Sequence, residues 1–149
     1  MSGGTALAVF VSISAGFAAS AQAAILGKLG DRVGTVEALG FSTLVAGATG
    51  VAVLLIARRS LAGISASAHQ PAWLWLGGVL SAFIILSVTI ATPRIGVAAA
   101  IGLVITGQLL VAAAIDRFGW FGFERIPLHW PRVLGIVLLA AGAVLSLRK

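Results

Sequence analysis

Val97-Ala98-Ala99-Ala100-Ile101-Gly102-Leu103-Val104-Ile105 carries no charge, and its large side chains do not alternate with polar ones. A strand of a membrane barrel alternates apolar and polar residues at every second position over segments of about ten residues. This run does not, so it reads as a helix that is apolar all round. Extended both ways, the uncharged run reaches from Ile95 to Ile115, between Arg94 and Asp116. At about 1.5 Å per residue, that length covers the roughly 30 Å of a bilayer's hydrocarbon core.

Three further runs of similar length occupy residues 5–27, 38–57 and 72–91. A fifth, residues 133–147 between Arg132 and Arg148, has 15 residues and would cover only about 22 Å. Snorkelling of the flanking arginines and anchoring by Trp130 can make up the difference. The expected fold is therefore an all-α integral membrane protein, a five-transmembrane-helix bundle forming a single domain over residues 1–149.

Composition leads to the same place. Of 149 residues, 60% are hydrophobic and 9% charged, with a mean hydropathy of +1.12. A soluble domain carries about 25% charged residues, and this chain has no polar shell to cover its apolar surface in water. The net charge of +6 is spread singly or in pairs between the apolar runs, with no basic stripe to follow a phosphate backbone. Nucleic acid is excluded as a partner; the lipid bilayer takes its place. With no cysteine there is no disulfide, thiolate metal site or thiol nucleophile.

Pro71, Pro93, Pro127 and Pro131 are all expected between spans, where a missing N–H is harmless. Trp73, Trp75, Trp120 and Trp130 fall near span ends, as in an interfacial belt. Ala21-Gln22-Ala23 resembles a signal-peptide cleavage site, but no Lys or Arg precedes Lys28, so cleavage is not expected. No internal repeat is evident.

Five spans put Lys28, Arg32, Arg94, Arg148 and Lys149 on one side of the membrane and Arg58, Arg59, Arg117, Arg125 and Arg132 on the other. Orientation follows the Lys/Arg imbalance of short loops, and here the two sides are equal. Either the first helix fixes one orientation, or the chain inserts both ways and pairs with an inverted copy of itself. Transporters combine two inverted repeats around a midplane site, and one repeat per chain would need a second chain.

Enzyme chemistry finds no support. His69 and His129 lie in separate loops, and Asp31, Glu37, Asp116 and Glu124 sit at or outside span ends. No metal or cofactor is expected. Polar groups inside spans are costly and hence suggestive. Gln22 lies near the end of the first span and Gln108 within the fourth. Each amide needs a partner from another helix or from a substrate. If the second helix starts at Thr35, Glu37 stands in its first turn, where the helix dipole favours a carboxylate; the alternative is a protonatable group at a cavity mouth. Ser42 and Thr43 could line the same helix, although such hydroxyls commonly bond their own backbone. Small residues four apart, Ala15 and Ala19 in the first span, Gly102 in the fourth and Gly142 in the fifth, suit close helix packing. Arg94 is expected to anchor the fourth helix at the headgroups.

Four stretches carry a family resemblance: Trp73-Leu74-Trp75-Leu76-Gly77-Gly78, Thr92-Pro93-Arg94-Ile95-Gly96, Thr106-Gly107-Gln108, and Ile115-Asp116-Arg117-Phe118-Gly119-Trp120-Phe121-Gly122. With Arg132-Val133-Leu134-Gly135 near the end, the chain resembles the YdcZ-type short transporters of the drug/metabolite transporter superfamily. It departs from the usual pattern at Arg117, where His is common, and at Ser81, where Gly is. The resemblance implies one inverted-repeat half of a drug/metabolite transporter fold in a bacterial inner membrane. Such a half works as an antiparallel homodimer, or as a heterodimer with a paralogous half. The expected function is export of a small organic substrate by alternating access, with Gln22, Glu37, Ser42 and Gln108 as candidate substrate-binding residues. The alternative is a non-transporting accessory or assembly subunit, and a channel is a third reading.

Overall fold

The computed structural model describes residues 3–147; Arg148 and Lys149, which enter the charge count above, lie outside the described residues. Secondary structure among the described residues is helical throughout. In chain order the helices are α1 (Gly3–Val33), α2 (Thr35–Arg58), α3 (Ala62–Ala68), α4 (Leu76–Ile95), α5 (Val97–Phe118) and α6 (Trp130–Leu145). Short 3-10 turns at Ala72–Trp75 and Trp120–Gly122 complete the set. By length and hydropathy, α1, α2, α4 with its preceding turn, and α5 can each cross a bilayer. The shorter α6 has 16 residues, about 24 Å of helix.

Gly34 alone separates α1 from α2, and Gly96 alone separates α4 from α5. Their dihedrals nearly coincide, with φ 104° and ψ 150° at Gly34 and φ 86° and ψ 159° at Gly96. That region is open essentially only to glycine. The hydrogen bonding matches too. The Gly34 N–H donates to the Gly30 carbonyl at 3.0 Å and the Gly34 carbonyl accepts from Ala38 N–H at 3.0 Å. Gly96 donates to Thr92 at 3.0 Å and accepts from Ala100 at 3.1 Å. One residue thus closes one helical ladder and opens the next.

The flanking sequences align once the turns are superposed. Arg32-Val33-Gly34 precedes Ala38-Leu39-Gly40, and Arg94-Ile95-Gly96 precedes Ala100-Ile101-Gly102. Ala38 and Ala100, four residues past each turn, are 0% and 1% exposed. The same single-glycine turn therefore occurs twice in the chain. The recurrence was not evident in the sequence because the shared residues are few and the three positions between turn and alanine are unrelated.

Pro93 and Arg94 also depart from expectation. Both lie in the last turn of α4, not between spans, and Arg94 closes the third span instead of opening the fourth. Pro93 is tolerated there because so little helix follows it; its missing N–H withholds only the bond that the Thr89 carbonyl would accept. Pro131 stands in the first turn of α6, where the missing donor costs nothing.

The chain divides into two compact units. In the unit Ile25–Ile90, Thr89 is the largest fully buried side chain. Gly30 lets it approach: a β-carbon at Gly30 would fall 2.7 Å from Thr89 Cγ2. The Thr89 hydroxyl donates to the Ile85 carbonyl at 2.8 Å. In the other unit, formed by the chain before and after this segment, α5 packs on α6. Gly102 meets Ala143, whose Cα and Cβ would lie 3.3 and 3.0 Å from an added β-carbon. The completely buried apolar positions are mostly alanines, including Ala23, Ala38, Ala99, Ala100 and Ala143. Small residues at contacts are what helices use when hydrocarbon, not water, surrounds them. Conversely Phe17, Leu44 and Ile56 are 74%, 74% and 82% exposed, and every described residue of α1 up to Ala19 is exposed. Such faces are stable only against lipid or another chain.

Candidate functional site

Gln22 lies on α1 and Gln108 on α5, both exposed, and neither amide makes a hydrogen bond among the described residues. On a helix of 3.6 residues per turn, Gln108 faces away from the stripe of α5 (Gly102, Ala113, Arg117) that meets or borders α6. An amide at this depth keeps unmet donors and an acceptor until a partner arrives.

Glu37 is the third residue of α2. Its carboxylate folds back over Gly34, so that a side chain at 34 would collide with it. Glu37 makes no side-chain cap bond, and the helix dipole favours a carboxylate in this first turn. Its side chain is exposed, so the same carboxylate stays open to solute or solvent. The Ser42 hydroxyl donates to the Leu39 carbonyl at 3.0 Å, and Thr43 donates to the Leu39 and Gly40 carbonyls, both at 2.9 Å. Ser42 is thus engaged with its own helix. Among the described residues, no hydrogen bond joins Gln22 to Gln108 in one unit or Glu37 to Ser42 in the other.

Of the small residues expected at helix contacts, Gly102 lies against α6. Gly142, next to the contacting Ala143, is exposed, and Ala15 and Ala19 are exposed on α1. Ala23, one step further along that stripe, is buried.

Two features escaped the sequence. The first is Thr92, 7% exposed, whose hydroxyl oxygen is buried without a partner. It sits one residue before the proline that leaves the Thr89 carbonyl without its usual helical donor. The end of α4 thus holds a buried hydroxyl without a partner beside a proline that has no N–H to offer the Thr89 carbonyl. Thr92-Pro93 was the available signal, but a proline placed between spans frees no carbonyl. The second is the end of the α5–α6 pair. Arg132 forms an ion pair with Asp116 there, and the Ile126 N–H donates to the Asp116 carbonyl at 2.8 Å. These two bonds fold the connecting loop back on α5. Phe118 and Trp120 stack beside it, with ring centroids 5.5 Å apart.

No group of His, Cys, Asp or Glu suited to a metal occurs among the described residues. Comparison with curated proteins and with solved structures finds no match. Residues 7–145 match the family described as "Putative inner membrane exporter, YdcZ". That is a family of inner-membrane exporters, not of enzymes, and four helices of this chain are long and apolar enough to cross a membrane. On a match over nearly its whole length, the chain belongs to the YdcZ family of inner-membrane exporters.

Proposed function

We propose that the chain is one half of a small-solute exporter that works by alternating access as an antiparallel dimer, the partner being a second copy or a paralogous half. Gln22 and Gln108 carry this reading. Each is a polar amide within an apolar helix, exposed and without a hydrogen bond among the described residues. In hydrocarbon such a group finds a partner on another helix or on a solute. A two-sided cavity between inverted halves supplies both. The equal division of Lys and Arg between the two sides supports the same reading, because it leaves neither orientation favoured. Glu37, in the first turn of α2, serves in this reading as the proton or cation partner that drives export.

Reconstitution of this chain alone, with no second polypeptide, tests the proposal. Purified dimer in vesicles is expected to give saturable solute flux. Flux that appears only when another subunit is added would favour an accessory role, and non-saturable flux would favour a channel.

A further inference from the structure

The α5–α6 pair carries a divided groove that none of the transport residues enters. Its apolar part is an open cavity of about 350 Å³ lined by Leu110, Ala113, Ala114 and Phe118 of α5 with Val133 and Ile136 of α6. It lies within the range of about 300–1,000 Å³ typical of small-molecule sites. At the loop end a second cavity, of about 390 Å³, is lined by Arg117, Arg125, Ile126 and Pro127. Arg117 and Phe118 line both cavities, so the apolar part passes directly into the basic one.

Neither Arg117 nor Arg125 makes a hydrogen bond or ion pair among the described residues. The neighbouring acid, Asp116, is taken up by Arg132 and does not neutralise them. Glu124 is the one remaining carboxylate in the loop, so the segment keeps a net positive charge. Guanidinium groups at a helix end bind phosphate with two parallel N–H donors. Basic pockets between transmembrane helices at the membrane surface take anionic head groups. An apolar surface beside unpaired guanidinium groups matches one class of ligand.

We propose that the groove is a binding site for an anionic phospholipid, with its phosphate on Arg117 and Arg125 and part of one acyl chain against Ala113, Ala114 and Ile136. Each cation near an anionic lipid surface contributes roughly a fivefold preference, so the pair gives about a thirtyfold preference over zwitterionic lipid.

Native mass spectrometry of the purified protein, titrated with phosphatidylglycerol or phosphatidylcholine, measures this without reference to transport. Phosphatidylglycerol is expected to be retained about thirtyfold better. The preference should vanish in the double variant Arg117→Gln/Arg125→Gln and persist in Arg117→Lys/Arg125→Lys. In wild type it should shrink as salt is raised, which keeps the test decisive if the Gln variant does not fold. Equal retention of both lipids overturns the proposal, as does an undiminished preference in a folded Gln variant. Glycerol phosphate displacing the lipid at equal concentration would mark a free-phosphate site and overturn it as well.

Discussion

Gly102 of α5 lies against Ala143 of α6 so closely that a β-carbon on it would stand 3.0 Å from the alanine methyl. Nothing smaller than glycine exists to relieve that contact, so the two helices meet at backbone distance. Gly102→Leu is expected to lower stability by about 1–3 kcal/mol, the usual cost of overpacking. Gly102→Ala should cost less, and Ala143→Gly should restore part of the loss by opening the facing position. Unfolding in mild detergent, followed by circular dichroism, checks the order of the four proteins.

The single-glycine turns make a sharper forecast. Gly34 and Gly96 hold backbone conformations that an alanine adopts only under strain. Gly34→Ala and Gly96→Ala should each destabilise by about 1–3 kcal/mol. Gly47→Ala and Gly107→Ala are the controls, since neither site would bring a β-carbon within 4 Å of a neighbour. Inside a helix that change is favourable by up to about 1 kcal/mol. Equal effects at all four sites would contradict the turn geometry.

How much of this could be read from the chain depends on the kind of force involved. The apolar runs were legible because charge in hydrocarbon is prohibitive, but the helices run on past Lys28 to Val33 and past Asp116 to Phe118. Charge misled at Arg94, which ends the apolar run although the helix continues through Pro93 to Ile95. The place of Glu37 in the first turn of α2 followed from a start at Thr35, as did the engagement of Ser42 with its own backbone. The repeated turns were not legible, because they are a property of two dihedral angles shared by short, mostly dissimilar sequences. The Arg117–Arg125 cavity depends on the loop folding back through Asp116, a contact between residues 10 and 16 positions apart that periodicity does not register.

The ion pair that folds this loop is exposed on the Arg132 side, at 40%, against 23% for Asp116. Pairs of that kind contribute about 0–1 kcal/mol. Asp116→Asn should therefore cost less than about 1 kcal/mol, with the difference shrinking in high salt. A loss well above that, measured by the same unfolding experiment, would show that the pair is shielded from water.

Gln108→Leu separates the two roles open to the amide. A simple interhelical hydrogen bond is worth about 0.6 kcal/mol, a change of roughly threefold in an equilibrium. If Gln108 faces solute, transport should fall by an order of magnitude or more while the dimer stays assembled, as scored by efflux and by size-exclusion chromatography. The companion variant Glu37→Gln is expected to abolish proton-coupled efflux with the dimer intact. Unchanged transport and pH dependence would remove Glu37 from the mechanism.

Because the chain contains no cysteine, one introduced thiol reports which way it crosses the membrane. His69→Cys, in the turn after α3, can be labelled with a membrane-impermeant maleimide, first on intact spheroplasts and then after permeabilisation. With inverted halves, about half of the protein should label from outside and the rest only once the membrane is opened. Labelling wholly from one face would mean that every copy points the same way, and a homodimer of opposed halves could not exist.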